Sequence, residues 1–343
     1  MKTLFPVLLF LFIATASLAQ SPTDNKQQLT SIGDLKLESG NTISGCNIGY
    51  RTYGRLNSAK NNGILFLTWF GGNTKNVEST NPFLAIDTTR YFLIIVDALG
   101  DGVSSSPSNS IKQHGTNFPA FSIRDMVESQ YKLLTKNLGI AHLHAIMGIS
   151  MGGIQTFQWA VSYPDFTDEL IPIVGSPEPT SYDLMLYNTF RSIVEADGAF
   201  NHGNYTVNPN IVPANMLWEL FLTTPGDRVK NISHDDFSKW MKNTENKKSN
   251  DWNDTHYQII AVIGHDISKS FNGSMKEAAA HVKAKMLIIS SLQDHMVNAN
   301  PAIEFSKLLP AKLVVLNSSS GHLAPSFGDP QVKNSIIEML GEN

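Results

Sequence analysis

Short apolar runs, each closed by turn residues, limit most strongly what this chain can fold into. They are Ile64 to Thr68, Tyr91 to Asp97, Leu143 to Gly148, Leu170 to Val174, Met286 to Ser290 and Leu313 to Asn317. Runs that are apolar on both faces suit strands buried on both sides of a parallel sheet. Helical patterns lie between them. Ser122 reads as an N-cap, and Ile123, Met126, Val127, Leu133, Leu134 and Leu138 then keep one apolar face until Gly139 ends the helix. Such alternation predicts an α/β fold, a mostly parallel central sheet flanked by helices on both sides. With 343 residues, 42% of them hydrophobic, the chain can bury one large core.

The ends of the pattern differ from its middle. Residues 20 to about 33 are polar and are expected to be loose. "LKLESGNTISGCNIGYRTYGRLN" then alternates apolar and polar residues between glycines, which predicts antiparallel strands. Residues 178–283 are rich in Asn, aromatic residues and Met, carry helix-like pieces and hold no convincing buried strand. They read as a helical cap inserted into the core, dividing it into residues 20–177 and 284–343.

The first residues, "MKTLFPVLLFLFIATASLAQ", join a short positive start to an apolar run and a small-x-small site before Gln20. This predicts a secretory signal peptide over residues 1–19, hence export without a lasting membrane anchor. Cys46 is the single cysteine, so no disulfide can form within the chain. The ten histidines are scattered without metal-ligand spacing, so no metal is expected. A net charge of −4 argues against nucleic acid as a partner. Sequons at Asn204, Asn231, Asn253, Asn272 and Asn317 matter only in a host that glycosylates exported proteins.

Gly148-Ile149-Ser150-Met151-Gly152 matches G-x-S-x-G between a predicted strand and a predicted helix. In that context the turn lifts the serine hydroxyl above the sheet, and the glycines avoid clashes at the bend. The helix start directs partial positive charge towards a developing anion. A serine hydroxyl needs a base to take its proton. The acid should end a later strand and the histidine should follow one strand on. "MLIISSLQD" supplies Asp294 and "LVVLNSSSGH" supplies His322. Ser150, Asp294 and His322 therefore stand in the order of an α/β-hydrolase triad. Asp266, His265, His295 and Asp329 are weaker partners by their places in the chain.

Two backbone N–H groups are needed to hold the oxyanion. Met151, after the serine, is one; the loop "TWFGG" after an early strand makes Trp69 the other candidate. "DALGDGVSSSPSN", Asp97 to Asn109, follows the next strand and reads as a structural loop at the rim of the site.

The stretches "LESGNTISGCNIGYRTYGRLN", "SSSPSN", "GISMGGIQTFQWAVSYPDF" and "NDTHYQ" together resemble the homoserine O-acetyltransferase family of α/β-hydrolases. The resemblance covers nearly the whole mature chain and implies the α/β-hydrolase fold with Ser150, Asp294 and His322 as catalytic residues. By the same likeness "YNTFRSIVEAD" is the cap helix whose arginine grips the acceptor's carboxylate, which maps to Arg191. Two departures separate the chain from that family. Leu323 stands where an aspartate receives the substrate ammonium, and Phe118-Pro119-Ala120-Phe121 replaces a longer segment.

The reading favoured is an exported hydrolase of small or medium carboxylic esters, working through an acyl-Ser150 intermediate. A homoserine O-acetyltransferase-like O-acyltransferase using acyl-CoA is the alternative, and a hydrolase-like binding protein without catalysis is the third. The expected partner is a small acyl ester, with no cofactor; a homodimer is left open.

Overall fold

The computed structural model describes residues 25–246 and 249–341. The leader expected over residues 1–19 lies outside them. Eight strands form one sheet: β1 (Gln28–Lys36), β2 (Thr42–Tyr53), β3 (Gly63–Leu67), β4 (Phe92–Val96), β5 (Leu143–Ile149), β6 (Thr167–Ile173), β7 (Lys285–Ser291) and β8 (Ala311–Leu316). Their spatial order is β1-β2-β4-β3-β5-β6-β7-β8. The pairs β1–β2 and β2–β4 are antiparallel, and every pair from β4 to β8 is parallel.

Alternation along the strands divides the core between the two faces of the sheet. Leu65, Leu67, Ile94, Val96 and Ile146 point to one side. Ile64, Phe66, Leu93, Ile95 and Met147 point to the other. Both sets are fully buried because helices cover both faces.

The helices are, in chain order, α1 (Thr74–Ser79), α2 (Ile123–Lys132), α3 (Met151–Ser162), α4 (Ser181–Ala196), α5 (Val212–Leu222), α6 (Pro225–Asn231), α7 (Phe237–Glu245), α8 (Trp252–Ile263), α9 (Met275–His281), α10 (Asn300–Ser306) and α11 (Pro330–Met339). Ser122 caps α2 as the spacing predicts: its hydroxyl accepts from Asp125 N–H at 3.1 Å while its own N–H donates to the Asp125 carboxylate at 2.9 Å. Past Lys132 the chain widens into a π turn, Leu133–Asn137, with Leu138 N–H bonded to Leu133 O. The helical periodicity thus runs on to Gly139 while the hydrogen bonding changes beneath it.

Residues 28–33, expected to be loose, instead belong to β1. The strand sits at the sheet's edge, and main-chain pairing such as Gln28 opposite Tyr50 holds it. An edge strand with one face in water needs little apolar sequence, which is why its start escapes a hydrophobic reading.

Between β6 and β7 the described residues form helices only, from α4 to α9. α4, α5 and α8 pack together above the strand ends, whereas α9 returns to pack against α3 on the flank of the sheet. The sheet therefore closes with β7 and β8 after the helical excursion.

Candidate active site

β5 runs out at Ile149, and the next residue turns sharply into α3. Ser150 holds φ 59° and ψ −120°, a conformation that costs a residue with a side chain about 1–3 kcal/mol. The turn is locked because Ser150 N–H donates to Ile173 O on β6 at 2.9 Å. Close packing enforces the flanking glycine: a Cβ on Gly152 would lie 2.2 Å from Leu67 O on β3. Only glycine lets α3 start so near the neighbouring strand.

β7 and β8 bring up the other two residues. Asp294 lies in the turn after β7, and His322 in a single 3-10 turn, Gly321–Leu323, after β8. His322 Nδ1 is 2.6 Å from Asp294 Oδ2, and His322 Nε2 is 2.8 Å from Ser150 Oγ. The order of strands explains the convergence, since β5, β6, β7 and β8 are parallel neighbours and all end at the same edge. The second oxygen of Asp294 accepts from Met296 and Val297 N–H at 2.8 and 2.9 Å. These two bonds fix the carboxylate's orientation towards the imidazole. The arrangement places Nδ1–H towards Asp294 and leaves Nε2 as an acceptor for the serine hydroxyl. The hydroxyl can lose its proton there on attacking a carbonyl.

His322 is held from two sides. Ser291 Oγ donates to Gly321 O at 2.8 Å, and Thr224 Oγ1 donates to Ser319 O at 2.7 Å. The first anchor comes from β7 and the second from the turn joining α5 to α6.

Met151 is the first residue of α3, so its N–H has no partner within the helix. Leu67 pairs with Gly148, which brings the Thr68–Gly72 loop out of the sheet beside the Ser150 turn. Among the described residues, Trp69 and Met151 N–H donate to no protein acceptor. Thr68 O accepts from Gln155 Nε2 at 3.1 Å, and a buried chain continues from Gln130 Nε2 to Gln155 Oε1 and from Trp159 Nε1 to Gln130 Oε1. The Asp97–Asn109 loop is stapled too. Asp97 accepts from Thr74 N–H at 2.6 Å, and Asp101 from Val103 and Ser104 N–H at 2.8 and 2.9 Å. Burial pushes both carboxyls above their ordinary range.

Two of the rival residues cap other elements. Asp266 caps the 3-10 turn Ile267–Phe271, and Asp329 caps α11. His265 is buried and pushed down to about 3 by that burial, which leaves it uncharged. Arg191 lies on α4 with Nε 3.6 Å from Glu195 Oε1; the same oxygen is 2.8 Å from His256 Nε2. Glu195, one turn on in the same helix, is thus the carboxylate paired with Arg191, whose Nε makes no hydrogen bond.

Several residues that matter to this geometry were given no role by the sequence reading. Asp254 and Gln258 stand four apart on α8 and so share a face. Ser108 donates to Asp254 through N–H, at 2.8 Å, and through its hydroxyl, at 2.5 Å. Burial pushes the Asp254 carboxyl up to about 7. The i, i+4 spacing within "NDTHYQ" was the available signal. Thr224 gave none.

A cavity of about 390 Å³ lies between the Trp69–Gly71 loop and the cap. Phe190, Trp218 and Trp252 form part of its wall, and no ionisable side chain lines it among the described residues.

A sequence profile described as the alpha/beta hydrolase fold matches residues 64–329. A probable esterase of Corynebacterium glutamicum is 29% identical over 331 residues, covering 92% of this chain and 94% of that protein. The ethyl acetate hydrolase of Pseudomonas veronii is 28% identical over 330 residues, again covering 92% of this chain and 94% of the relative. Among solved structures, the homoserine O-acetyltransferase of Bacillus anthracis superposes with a TM-score of 0.84 at 26% identity, covering 92% of this chain and 97% of that one.

Proposed function

Because the chain belongs to the alpha/beta hydrolase fold family, we propose that it is an exported carboxylic-ester hydrolase acting through an acyl-Ser150 intermediate. Its esterase and acetyltransferase relatives make it an ester hydrolase or an acyltransferase. The finer reading rests on one observation, the unbroken run of hydrogen bonds from Ser150 through His322 to Asp294.

The chemistry follows from that run. Ser150 Oγ attacks the ester carbonyl and its proton passes to His322 Nε2. The carbonyl oxygen becomes an anion facing the N–H groups of Met151 and Trp69. His322 returns the proton to the departing alcohol, leaving the acyl group on Ser150. A water molecule then repeats the sequence, and the acid departs. Asp294 holds the imidazole in one tautomer and stabilises its charged form.

Water is favoured over a bound acceptor by the charges at the site. Leu323, 55% exposed beside His322, offers no carboxylate to an ammonium. Arg191 has Glu195 as an ion-pair partner within its own helix, and no ionisable side chain lines the neighbouring cavity among the described residues. A small neutral ester suits such surroundings, with no cofactor required.

Incubation with p-nitrophenyl acetate should give a burst of p-nitrophenol and a mass increase of one acetyl group, both abolished in Ser150→Ala. Wild-type protein that neither turns over esters of short and medium acyl chains nor acquires mass would overturn the proposal. The structural likeness to a homoserine O-acetyltransferase keeps acyl transfer as a second reading. Acetyl-CoA supplied with homoserine would then give O-acetylhomoserine faster than acetate. Export rests on the leader-like residues 1–19. Secreted protein should begin at Gln20, and an intact Met1 on it would exclude cleavage.

A further inference from the structure

The loop that carries the Trp69 N–H is tied at its two ends to different parts of the molecule. At the near end Thr68 belongs to the core: its hydroxyl accepts from Ala98 N–H at 3.1 Å and its carbonyl from Gln155. At the far end the peptide groups of Gly71 belong to the cap side. Gly71 N–H donates to Gln258 Oε1 at 2.8 Å, and Gly71 O accepts from Asn250 Nδ2 at 2.6 Å. Gln258 is completely buried, and its own Nε2 donates to Leu99 O at 3.0 Å. One amide from α8 therefore bridges the loop after β3 and the loop after β4.

Gly71 adopts φ +64°, in the left-handed region that only glycine enters at little cost. Glycine there is also free to leave it, so its torsional preference alone does not hold the orientation of the neighbouring peptides. Gly72 N–H closes a turn onto Trp69 O at 2.9 Å and Asn250 holds Gly71 O, while the Gln258 bond fixes the Gly71 N–H side of that turn to the core. With Thr68 fixed by the core and Gly71 by α8, the Trp69–Phe70 segment between them can no longer swing.

We propose that Gln258 is a positioning residue for acyl transfer: by joining Gly71 N–H to Leu99 O, it aims the Trp69 N–H at the oxygen that becomes an anion. The inference rests on the serine-hydrolase reading above. Gln258 touches neither the ester nor a reacting atom. It acts through the loop, and its effect falls on the transition state, because only there does the oxygen carry charge for the N–H to meet.

Gln258→Met keeps the volume and removes both hydrogen bonds, whereas Gln258→Glu, as the neutral acid that complete burial favours, keeps an acceptor for Gly71 N–H and a donor for Leu99 O. With p-nitrophenyl acetate, Gln258→Met should lose about 10- to 100-fold in kcat with KM changed by less than about twofold. Its Ki for an alkyl boronic acid, whose adduct on Ser150 places an oxygen at the anion's position, should rise by a similar factor. Gln258→Glu should recover most of kcat, because the bond to the loop is kept.

A purely structural amide would behave otherwise: both variants would lose melting temperature, with kcat per folded molecule unchanged. That result, or a Gln258→Met enzyme with wild-type kcat and Ki, would overturn the proposal while leaving the hydrolase intact. If wild-type protein itself gives no turnover and no acyl-Ser150, the hydrolase reading fails and takes this inference with it. Should Gln258→Met not fold, Gln258→Glu decides: a kcat below about one-tenth of wild type would contradict the assignment of the role to the Gly71 bond.

Discussion

Thr224 places both its N–H, at 3.2 Å, and its hydroxyl, at 2.7 Å, on the carbonyl oxygen of Ser319, three residues before His322. A cap residue thereby fastens the loop that carries the proposed base. Thr224 Oγ1 also accepts from Asp227 N–H and so caps α6. Thr224→Val removes the hydroxyl from both roles and keeps the shape. It should cost about 1–2 kcal/mol in stability and lower kcat/KM several-fold. Thermal unfolding and ester hydrolysis measured together check this, and unchanged kinetics would dissociate the cap from the histidine.

The Ser150 backbone stores strain that glycine would not feel. Ser150→Gly should abolish ester turnover and yet raise stability, by about 1 kcal/mol after the greater chain entropy of unfolded glycine is subtracted. Denaturant titration of the two proteins is the measurement. A less stable Ser150→Gly would mean that the hydroxyl's bond to His322 outweighs the strain.

Asp294→Asn keeps an acceptor for the main-chain N–H groups of Met296 and Val297 but presents no charge to His322. A fall of about 10³- to 10⁴-fold in kcat is expected, with the fold retained by circular dichroism. A fall below tenfold would point to another group as the imidazole's partner.

Asp254 gives stability a pH dependence of defined sign. Burial raises its pKa to about 7, above the value of about 3.9 of an unfolded aspartate. The folded protein therefore holds the proton more tightly, and this contribution is fully present below about pH 4 and lost as pH rises towards 7. Glu169, raised to about 7 by burial, acts in the same direction, so the test is a difference between proteins. Asp254→Asn can still accept from Ser108 N–H and donate to its hydroxyl. Relative to wild type it should gain stability at pH 8 and gain little at pH 4.5, by urea titration at both values. Parallel curves across that range would show that Asp254 titrates normally.

Much of this architecture was legible because the deciding features are periodic or local. Buried parallel strands announce themselves as short apolar runs, and a residue such as Ser150 is framed by glycines that tight packing demands. What could not be read is of two kinds. β1 begins earlier than hydrophobicity suggests, because main-chain pairing to β2 at an edge asks little of side chains. Gln258 lies in a stretch that carries the family resemblance, but its hydrogen bonds, like those of Thr224, reach carbonyls or N–H groups far away in the chain, and any residue can offer those partners. Arg191 illustrates the reverse: its place on the helix was legible, but its pairing with Glu195 depends on side-chain orientation that no motif encodes.

The helical excursion between β6 and β7 has a consequence for the protein's birth. Ser150 is synthesised 172 residues ahead of His322, with the entire cap in between. A ribosome that has finished β6 has made the attacking hydroxyl and nothing able to deprotonate it. Reactivity on the proposed pathway can therefore begin only when the last two strands dock, so a truncated or stalled chain is chemically silent.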